Sequence, residues 1–153
     1  MTIQEDTRQK AGKHNHKGEW FEAHGVTVYR SKLPFGDYAP PPPVAIDTKE
    51  NMEEIAGNIC GKEHTRFINE CKAARDAGCK LIVLVENTNG IKSIEDVHIW
   101  KNPRVIYSPN CVQGGRLQKA METIQERYGV QFLFCTPEES AEIITRIIGD
   151  YGK

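Results

Sequence analysis

The sequence predicts a single α/β domain in which helices cover a central sheet. Residues 80–86, Lys-Leu-Ile-Val-Leu-Val-Glu, form an almost unbroken apolar run that is typical of a strand buried on both faces. Segments with helical spacing of apolar residues alternate with strand-like segments along the chain. The length of 153 residues suits one domain with a substantial core, so residues 1–153 are assigned to one domain.

The first third of the chain predicts three strands and one helix. Strands are predicted over Ile3–Thr7, Val26–Arg30 and Val44–Lys49, and the last of these begins with the apolar run Val44-Ala45-Ile46. A helix is predicted over Gly18–His24. Pro40–Pro43 precedes the third strand and is interpreted as a stiff turn, because polyproline geometry restricts the backbone.

Helices and strands continue to alternate in the rest of the chain. The spacing predicts a helix over Glu63–Ala77, a strand over Lys80–Glu86 and a strand over Val130–Cys135. Thr136–Glu139 is a capping box with proline at the first helical position, which predicts the start of the last helix. Apolar residues at helical spacing predict the buried faces of three helices. They are Phe67, Cys71 and Ala74 in the helix Glu63–Ala77; Leu117, Met121, Ile124 and Tyr128 in a second helix; and Ile143, Ile144, Ile147 and Ile148 in the last helix.

Residues 87–115 break this regular pattern. Asn87–Gly90 has turn chemistry, Ile94–Trp100 predicts a short helix, and Gln113–Gly115 is interpreted as a flexible join. We therefore predict an insertion at about 87–115, beside the functional edge of the sheet.

Composition excludes some classes of function. Twenty Lys and Arg nearly balance 21 Asp and Glu, so a nucleic-acid surface would need local segregation of charge. The five cysteines contain no Cys-x-x-Cys pair, which argues against structural zinc and indicates reduced core thiols. Because there is no signal peptide or long apolar span, we expect a cytoplasmic location. No glycine-rich phosphate loop follows a strand, which disfavours a small-molecule nucleotide enzyme.

Two short motifs predict a metal site. Gly36-Asp37-Tyr38 is followed, after the prolines, by Asp47-Thr48-Lys49 at the end of an apolar strand. Side chains alternate along a strand, so Asp47 and Lys49 share one side and Thr48 points away. Carboxylates suit Mg²⁺ or Mn²⁺, and an ammonium group can sit beside an attacking water or a phosphate. The alternative is that these charges merely keep a strand end soluble.

Together these motifs resemble the Gly-Asp…Glu-Arg-Lys-x-x-x-Asp signature of XPF-type (ERCC4-domain) nucleases. That family belongs to the PD-(D/E)XK, restriction-endonuclease-like superfamily. The matching segments are Leu33–Tyr38, then Asp47-Thr48-Lys49 with Glu53. Asp6-Thr7-Arg8-Gln9 resembles the family's opening Asp-x-Arg-Glu strand, and Leu81–Glu86 resembles its central strand.

The resemblance implies a restriction-endonuclease-like three-layer fold, with a mixed central β-sheet flanked by helices. It also implies a metal-dependent DNA endonuclease, acting on branched or otherwise structured DNA with Mg²⁺ or Mn²⁺. A compact nuclease without a helix-hairpin-helix module would suit a phage or prophage. The alternative is a catalytically inactive DNA-binding subunit that keeps the fold.

The resemblance assigns roles by position. The expected catalytic residues are Asp37, Asp47 and Lys49, and the expected metal ligands are Asp37, Asp47, the Thr48 carbonyl and Asp6, with Arg8, Glu53 and Gly36 in support. Four family positions differ here, since Asp47 replaces Glu, Thr48 replaces Arg, Glu53 replaces Asp and Gln9 replaces Glu. The first three changes keep a carboxylate, a backbone carbonyl and a negative charge near the metal. Because Gln9 provides no carboxylate, the metal would instead be bound by Asp6, by Glu5 or through more water.

Basic residues and one aromatic residue are the expected DNA contacts. They are Lys10, Lys13, Lys17, Arg66, Trp100, Lys101, Arg104 and Arg116. A solvated surface is the alternative for the basic runs, and a small core within the insertion is the alternative for Trp100.

We also expect a homodimer or a partner chain. One small domain of near-zero net charge offers little surface for gripping branched DNA, and the isoleucine-rich last helix has a wide apolar arc. The alternative is that this helix is buried on two sides within one chain.

Overall fold

The computed structural model describes residues 2–6, 15–31, 37–39 and 44–151. These residues form a six-stranded sheet whose strand order is β2-β1-β3-β4-β5-β6. The strands are β1 (Thr2–Asp6), β2 (Thr27–Ser31), β3 (Tyr38–Ala39), β4 (Val44–Lys49), β5 (Lys80–Glu86) and β6 (Gln131–Cys135).

The sheet is mixed, as expected. β1 runs parallel to β2, whereas the short β3 pairs antiparallel with both β1 and β4. β4, β5 and β6 are parallel to one another, so their carboxyl ends lie at the same edge of the sheet.

Helices cover both faces and create three layers. They are α1 (Asn15–Ala23), α2 (Met52–Cys60), α3 (His64–Asp76), α4 (Gly114–Tyr128) and α5 (Ser140–Tyr151). α2, α3 and α4 pack on one face in a cluster that includes Ala45 and Val83, and α1 and α5 pack on the other with Ile46 and Leu84. The predicted flanking of a mixed sheet by helices is therefore confirmed.

β5 is the buried centre that its composition predicts. Leu81, Val83 and Val85 enter the cluster under α2, α3 and α4, while Ile82 and Leu84 enter the cluster under α1 and α5. Each apolar side chain of β5 is therefore removed from water, which is the main favourable term in folding.

Helix α2 was missed by the sequence reasoning, although its signals were present. The Asn51 side chain caps it by accepting a 2.8 Å hydrogen bond from the Glu54 N–H, and acidic residues occupy the first turn. Met52, Ile55 and Ile59 are buried at helical spacing. Nine residues directly after a strand left little room for a periodic pattern to stand out.

The region 87–115 is more integrated than an appended loop. It contains 3-10 helices over Ile94–Ile99 and Pro103–Ile106, and Ile91, Val97 and Trp100 belong to the core cluster under α2, α3 and α4. Its status as an insertion stays a prediction.

The interpretation of Gln113–Gly115 as a flexible join was wrong. Gly114 is the buried first residue of α4, and its N–H donates to the Trp100 carbonyl at 3.2 Å. A Cβ at Gly114 would lie 2.7 Å from the Trp100 carbonyl oxygen and 2.8 Å from that of His98. Glycine is needed at this position for a close backbone approach rather than for flexibility.

The predicted capping box, in which the Thr136 N–H donates to the Glu139 carboxylate at 2.9 Å, starts a 3-10 turn over Pro137–Glu139 that leads directly into α5. Ile144 and Ile148 are buried, whereas Ile143 and Ile147 are partly exposed. Within the described residues, no helix combines the length and apolarity needed to cross a membrane.

Candidate active site at the ends of β3 and β4

β4 delivers two charged side chains to the edge of the sheet. Asp47 and Lys49 lie on the same side of the strand, and the Lys49 Nζ is 3.0 Å from the Asp47 Oδ2. Both side chains are largely buried, with exposed fractions of 8% for Asp47 and 13% for Lys49. The Lys49 ammonium also lies 5.8 Å from the centre of the Phe67 ring on α3. The predicted shared face is therefore present.

Asp37 reaches this edge through β3. Its N–H donates to the Ile46 carbonyl at 2.8 Å, which places it beside β4. Its Oδ2 accepts hydrogen bonds from the Thr48 N–H at 2.8 Å and from the Thr48 hydroxyl at 2.9 Å. Antiparallel pairing thus brings together two carboxyl groups that are ten residues apart in sequence.

The electrostatics of the pair are unfavourable to two negative charges. Burial, followed by the charge of Asp47, raises the pKa of Asp37 well above its usual range, despite the opposing hydrogen bonds from Thr48. A hydrogen bond between the Asp37 and Asp47 carboxyls acts in the same direction. Burial alone would lower the pKa of Lys49, but the charge of Asp47 leads a set of carboxylates that raise it overall. A positive charge bound beside Asp37 and Asp47 would therefore stabilise the ionised form of both carboxyl groups.

Comparison with known proteins identifies the family of this chain. A family model described as the ERCC4 domain matches residues 6–147. The chain belongs to the ERCC4 domain family. The expected resemblance is therefore confirmed, and ERCC4 nucleases generally depend on a divalent metal.

Solved structures support the fold of this ERCC4 domain. XPF from Aeropyrum pernix superposes with a TM-score of 0.71 at 18% identity, covering 100% of this chain and 66% of that chain. XPF from Aeropyrum pernix in complex with DNA gives a TM-score of 0.70 at 19% identity, covering 99% of this chain and 64% of that chain. The predicted restriction-endonuclease-like architecture is confirmed, and the chain spans just under two thirds of the length of those proteins. No curated protein sequence matches it.

The residues of this ERCC4 domain fit a hard divalent ion. Asp37 and Asp47 place carboxylate oxygens side by side, and their mutual repulsion is the feature that a cation would relieve. Thr48 follows Asp47 in β4 and donates two hydrogen bonds to Asp37, and its backbone carbonyl is the third ligand expected from the sequence. In the described part of the chain, no group of three or more His, Cys, Asp or Glu side chains is arranged to hold a metal. Two carboxylates, a carbonyl and water are therefore the donor set that the described residues offer.

The other predicted supporting residues divide into two groups. Asp6 is buried, and its N–H donates to the Asp37 carbonyl at 2.6 Å, so its backbone adjoins the site. Glu53 lies half-buried in the first turn of α2, four residues after Lys49. The remaining expected residues, Arg8, Gly36, Lys10 and Lys13, lie outside the described residues, together with Gln9 and the proline run.

The predicted DNA contact of Lys17 is contradicted by its burial. Its side chain is 0% exposed, and its Nζ lies 2.5 Å from the Glu86 Oε2 at the end of β5. The His16 Nε2 lies 3.2 Å from the other oxygen of the same carboxylate. Glu86 follows Leu84 on the α1 and α5 side of the sheet, so this cluster lies across the sheet from Asp47. Lys17 neutralises a buried carboxylate and is not available to a phosphate.

The predicted base stacking by Trp100 is also contradicted. Trp100 is 4% exposed and belongs to the main core cluster of the ERCC4 domain. Neighbouring residues that the sequence reasoning missed are exposed instead, namely Ile106 at 81% and Tyr107 at 89%. Their position in the sequence could have indicated this exposure. They lie between Pro103 and Pro109, where no helical or strand-like spacing of apolar residues predicts a buried face.

The remaining basic residues expected at DNA are on the surface. Lys101, Arg104 and Arg116 are exposed, and the exposed Arg66 guanidinium lies 3.4 Å from the Glu63 carboxylate. Their DNA contacts stay predictions.

Proposed function

We propose that this ERCC4 domain is a metal-dependent endonuclease that hydrolyses phosphodiester bonds in branched or otherwise structured DNA. The observation that supports this most strongly is the assembly of Asp37, Asp47 and Lys49 at one edge of the sheet. Hydrolysis of a phosphodiester needs positive charge near the phosphate and an activated water.

Each residue has a role in this proposal. Asp37, Asp47 and the Thr48 carbonyl hold Mg²⁺ or Mn²⁺, with Asp6 adjoining them. A bound divalent ion supplies Lewis-acid polarisation of the phosphate and lowers the pKa of a bound water. The Lys49 ammonium is held in place by Asp47 at 3.0 Å and stabilises negative charge at the phosphate or orients the attacking water.

The Thr48 hydrogen bonds position the first carboxylate. Both of them engage the same oxygen of Asp37, the Oδ2. Because the Thr48 N–H is part of the β4 backbone, Asp37 keeps its place relative to Asp47. Preorganisation of this kind reduces the entropy cost of assembling the site.

Cleavage assays on labelled DNA test the proposal directly. Forked, flapped, nicked-junction and linear duplex DNAs are incubated with Mg²⁺, Mn²⁺ or EDTA. We expect metal-dependent cleavage, and Lys49→Ala should lower turnover by on the order of a hundredfold or more with the fold intact. Lys72→Ala, at an exposed position on α3, is the matched control. Undiminished cleavage by Lys49→Ala would remove this site assignment, and DNA binding without cleavage under every metal condition would support the non-cleaving subunit.

The proposal includes a homodimer or a partner chain. Ile143 and Ile147 remain partly exposed on α5, while Ile144 and Ile148 pack into the core. Burial of the exposed pair across a two-fold axis would remove apolar surface from water. Light scattering at micromolar concentration should give a mass above that of one chain. A monomeric mass with full cleavage activity would exclude obligate dimerisation.

A further inference from the structure

A cleft lies between α2 and residues 102–116. Its volume is about 190 Å³, and its lining includes Arg104, Arg116, Asn102 and Asn110, with Glu53 at the end nearest β4. Arg104 and Arg116 are exposed, and neither forms an ion pair with any other residue that the structure describes. The cleft therefore presents two guanidinium groups that have no ion-pair partner among the described residues, and guanidinium groups are suited to a phosphate.

The wall of this cleft is built around a buried polar side chain. Asn102 is 3% exposed, and its amide donates to the Val112 carbonyl at 3.0 Å. Its side-chain oxygen accepts from the Arg104 N–H at 3.0 Å, while its own N–H donates to the Gln113 side chain at 2.9 Å. These hydrogen bonds hold the loop that carries Arg104 in one arrangement before any ligand arrives.

The segment that carries Arg104 and Arg116 is locally basic. Residues 97–121 contain no Asp or Glu, although the chain as a whole contains 21. The same 25 residues carry four basic side chains, at Lys101, Arg104, Arg116 and Lys119. A chain of near-zero net charge has thus concentrated positive charge in one segment, which is the local segregation that DNA binding requires.

An exposed apolar tip stands on the same segment. Ile106 and Tyr107 are 81% and 89% exposed at the end of the 3-10 helix Pro103–Ile106, and Pro109 follows closely. Exposed large apolar side chains on a basic segment are typical of surfaces that stack on nucleic-acid bases. A tyrosine ring can stack only on a base whose face is uncovered, and the interior of a duplex offers no such face.

The cleft also lies close to the candidate active site. Its lining includes Glu53 in the first turn of α2 and Gly61 just beyond the last. A nine-residue helix is about 13 Å long, which corresponds to about four nucleotides at a rise of about 3.4 Å each. One DNA strand can therefore reach both the edge of β4 and the arginine cleft.

We propose that residues 101–116 form a second DNA-contact surface, which binds a backbone phosphate between Arg104 and Arg116 and stacks Tyr107 on an unpaired base. This inference rests on the proposed function and assigns the preference for structured DNA to this surface. The occupant is the single-stranded arm of a branched substrate.

Fluorescence anisotropy in EDTA separates this binding from catalysis. Wild-type protein is titrated with a forked DNA and with a blunt duplex of the same length. Tyr107→Ala should weaken binding to the fork by roughly 5- to 150-fold and leave binding to the duplex unchanged. Tyr107→Trp should restore affinity for the fork, and Tyr151→Ala, at another exposed tyrosine, should have no effect on either DNA.

The arginine cleft has its own signature in salt dependence. Replacing Arg104 and Arg116 together by alanine should weaken binding to both DNAs. It should also lower the slope of log affinity against log salt by about one to two, since fewer counterions are released. An unchanged slope would remove the phosphate site.

Three outcomes overturn the proposal. They are equal loss on fork and duplex with Tyr107→Ala, no loss on either DNA, and absence of DNA binding by the wild-type protein. If Tyr107→Ala instead lowers the mass measured by light scattering while DNA affinity is kept, a second copy of the chain covers the tip. The proposed endonuclease fails separately, because fork-selective binding through Tyr107 without cleavage in Mg²⁺ or Mn²⁺ removes only the catalytic assignment.

Discussion

Replacing Asp37 by asparagine should stabilise the metal-free protein while abolishing cleavage. Asparagine keeps a carbonyl oxygen for the hydrogen bonds from the Thr48 N–H and hydroxyl, and its amide can donate to Asp47. The substitution therefore removes the buried charge without leaving a donor unsatisfied. The same substitution would then increase the stability of the metal-free protein and remove its activity.

The sign of the effect follows from the raised pKa of Asp37. The folded state binds the proton more tightly than the unfolded state, where the pKa is about 3.9, so folding stability falls as pH rises from that value through the raised one. Each unit of elevation costs the ionised protein about 1.4 kcal/mol at higher pH. For a chain of this size 1 kcal/mol corresponds to about 2–4 °C in Tm, so each unit is worth roughly 3–6 °C.

Thermal unfolding in EDTA measures the stability of the metal-free protein, and thermal unfolding in Mg²⁺ measures the stabilisation by the bound ion. In EDTA, Asp37→Asn should raise the Tm, with a smaller decline between pH 4 and pH 8 than the wild type shows. Magnesium at about 100 times its Kd should stabilise the wild type by about 2.7 kcal/mol, or roughly 5–11 °C, and should not stabilise the variant.

Asp150→Asn, at an exposed position on α5, controls for loss of one negative charge. A lower Tm for Asp37→Asn in EDTA would refute the repulsion between the two carboxyls. A Tm increase with Mg²⁺ equal to that of the wild type would refute the role of Asp37 as a ligand.

Two further predictions concern the scaffold around the site. Lys17→Ala should destabilise the protein by about 3–5 kcal/mol in chemical denaturation, because it leaves the Glu86 carboxylate buried without its 2.5 Å partner. A loss below about 1 kcal/mol would instead indicate an exposed, solvated pair. Gly114→Ala should cost about 1–3 kcal/mol, because its Cβ would overlap backbone carbonyl oxygens, whereas Gly115→Ala meets nothing within 4 Å and should gain up to about 1 kcal/mol in the helix. Equal effects at the two glycines would disprove the close approach.

Local pattern alone determined much of the sheet and one face of the site. The bounds of β4 and β5 follow from apolar runs, and the shared side of Asp47 and Lys49 follows from the two-residue period of a strand. The capping box at Thr136–Glu139 is equally local, since its partners lie three residues apart. These features depend on neighbours within one element, so the order of residues contains them.

Only the tertiary structure decided which charged and aromatic side chains face solvent. Lys17 looks like any basic surface residue in sequence, yet it is buried because β5 places Glu86 beneath α1. Trp100 and Tyr107 occupy one basic segment, and packing against the core, rather than residue type, buries the first and exposes the second. The meeting of Asp37 with Thr48 likewise depends on a two-residue antiparallel strand, too short to produce a periodic signal. Burial is a property of contacts between distant segments, so residue type and local spacing leave it open.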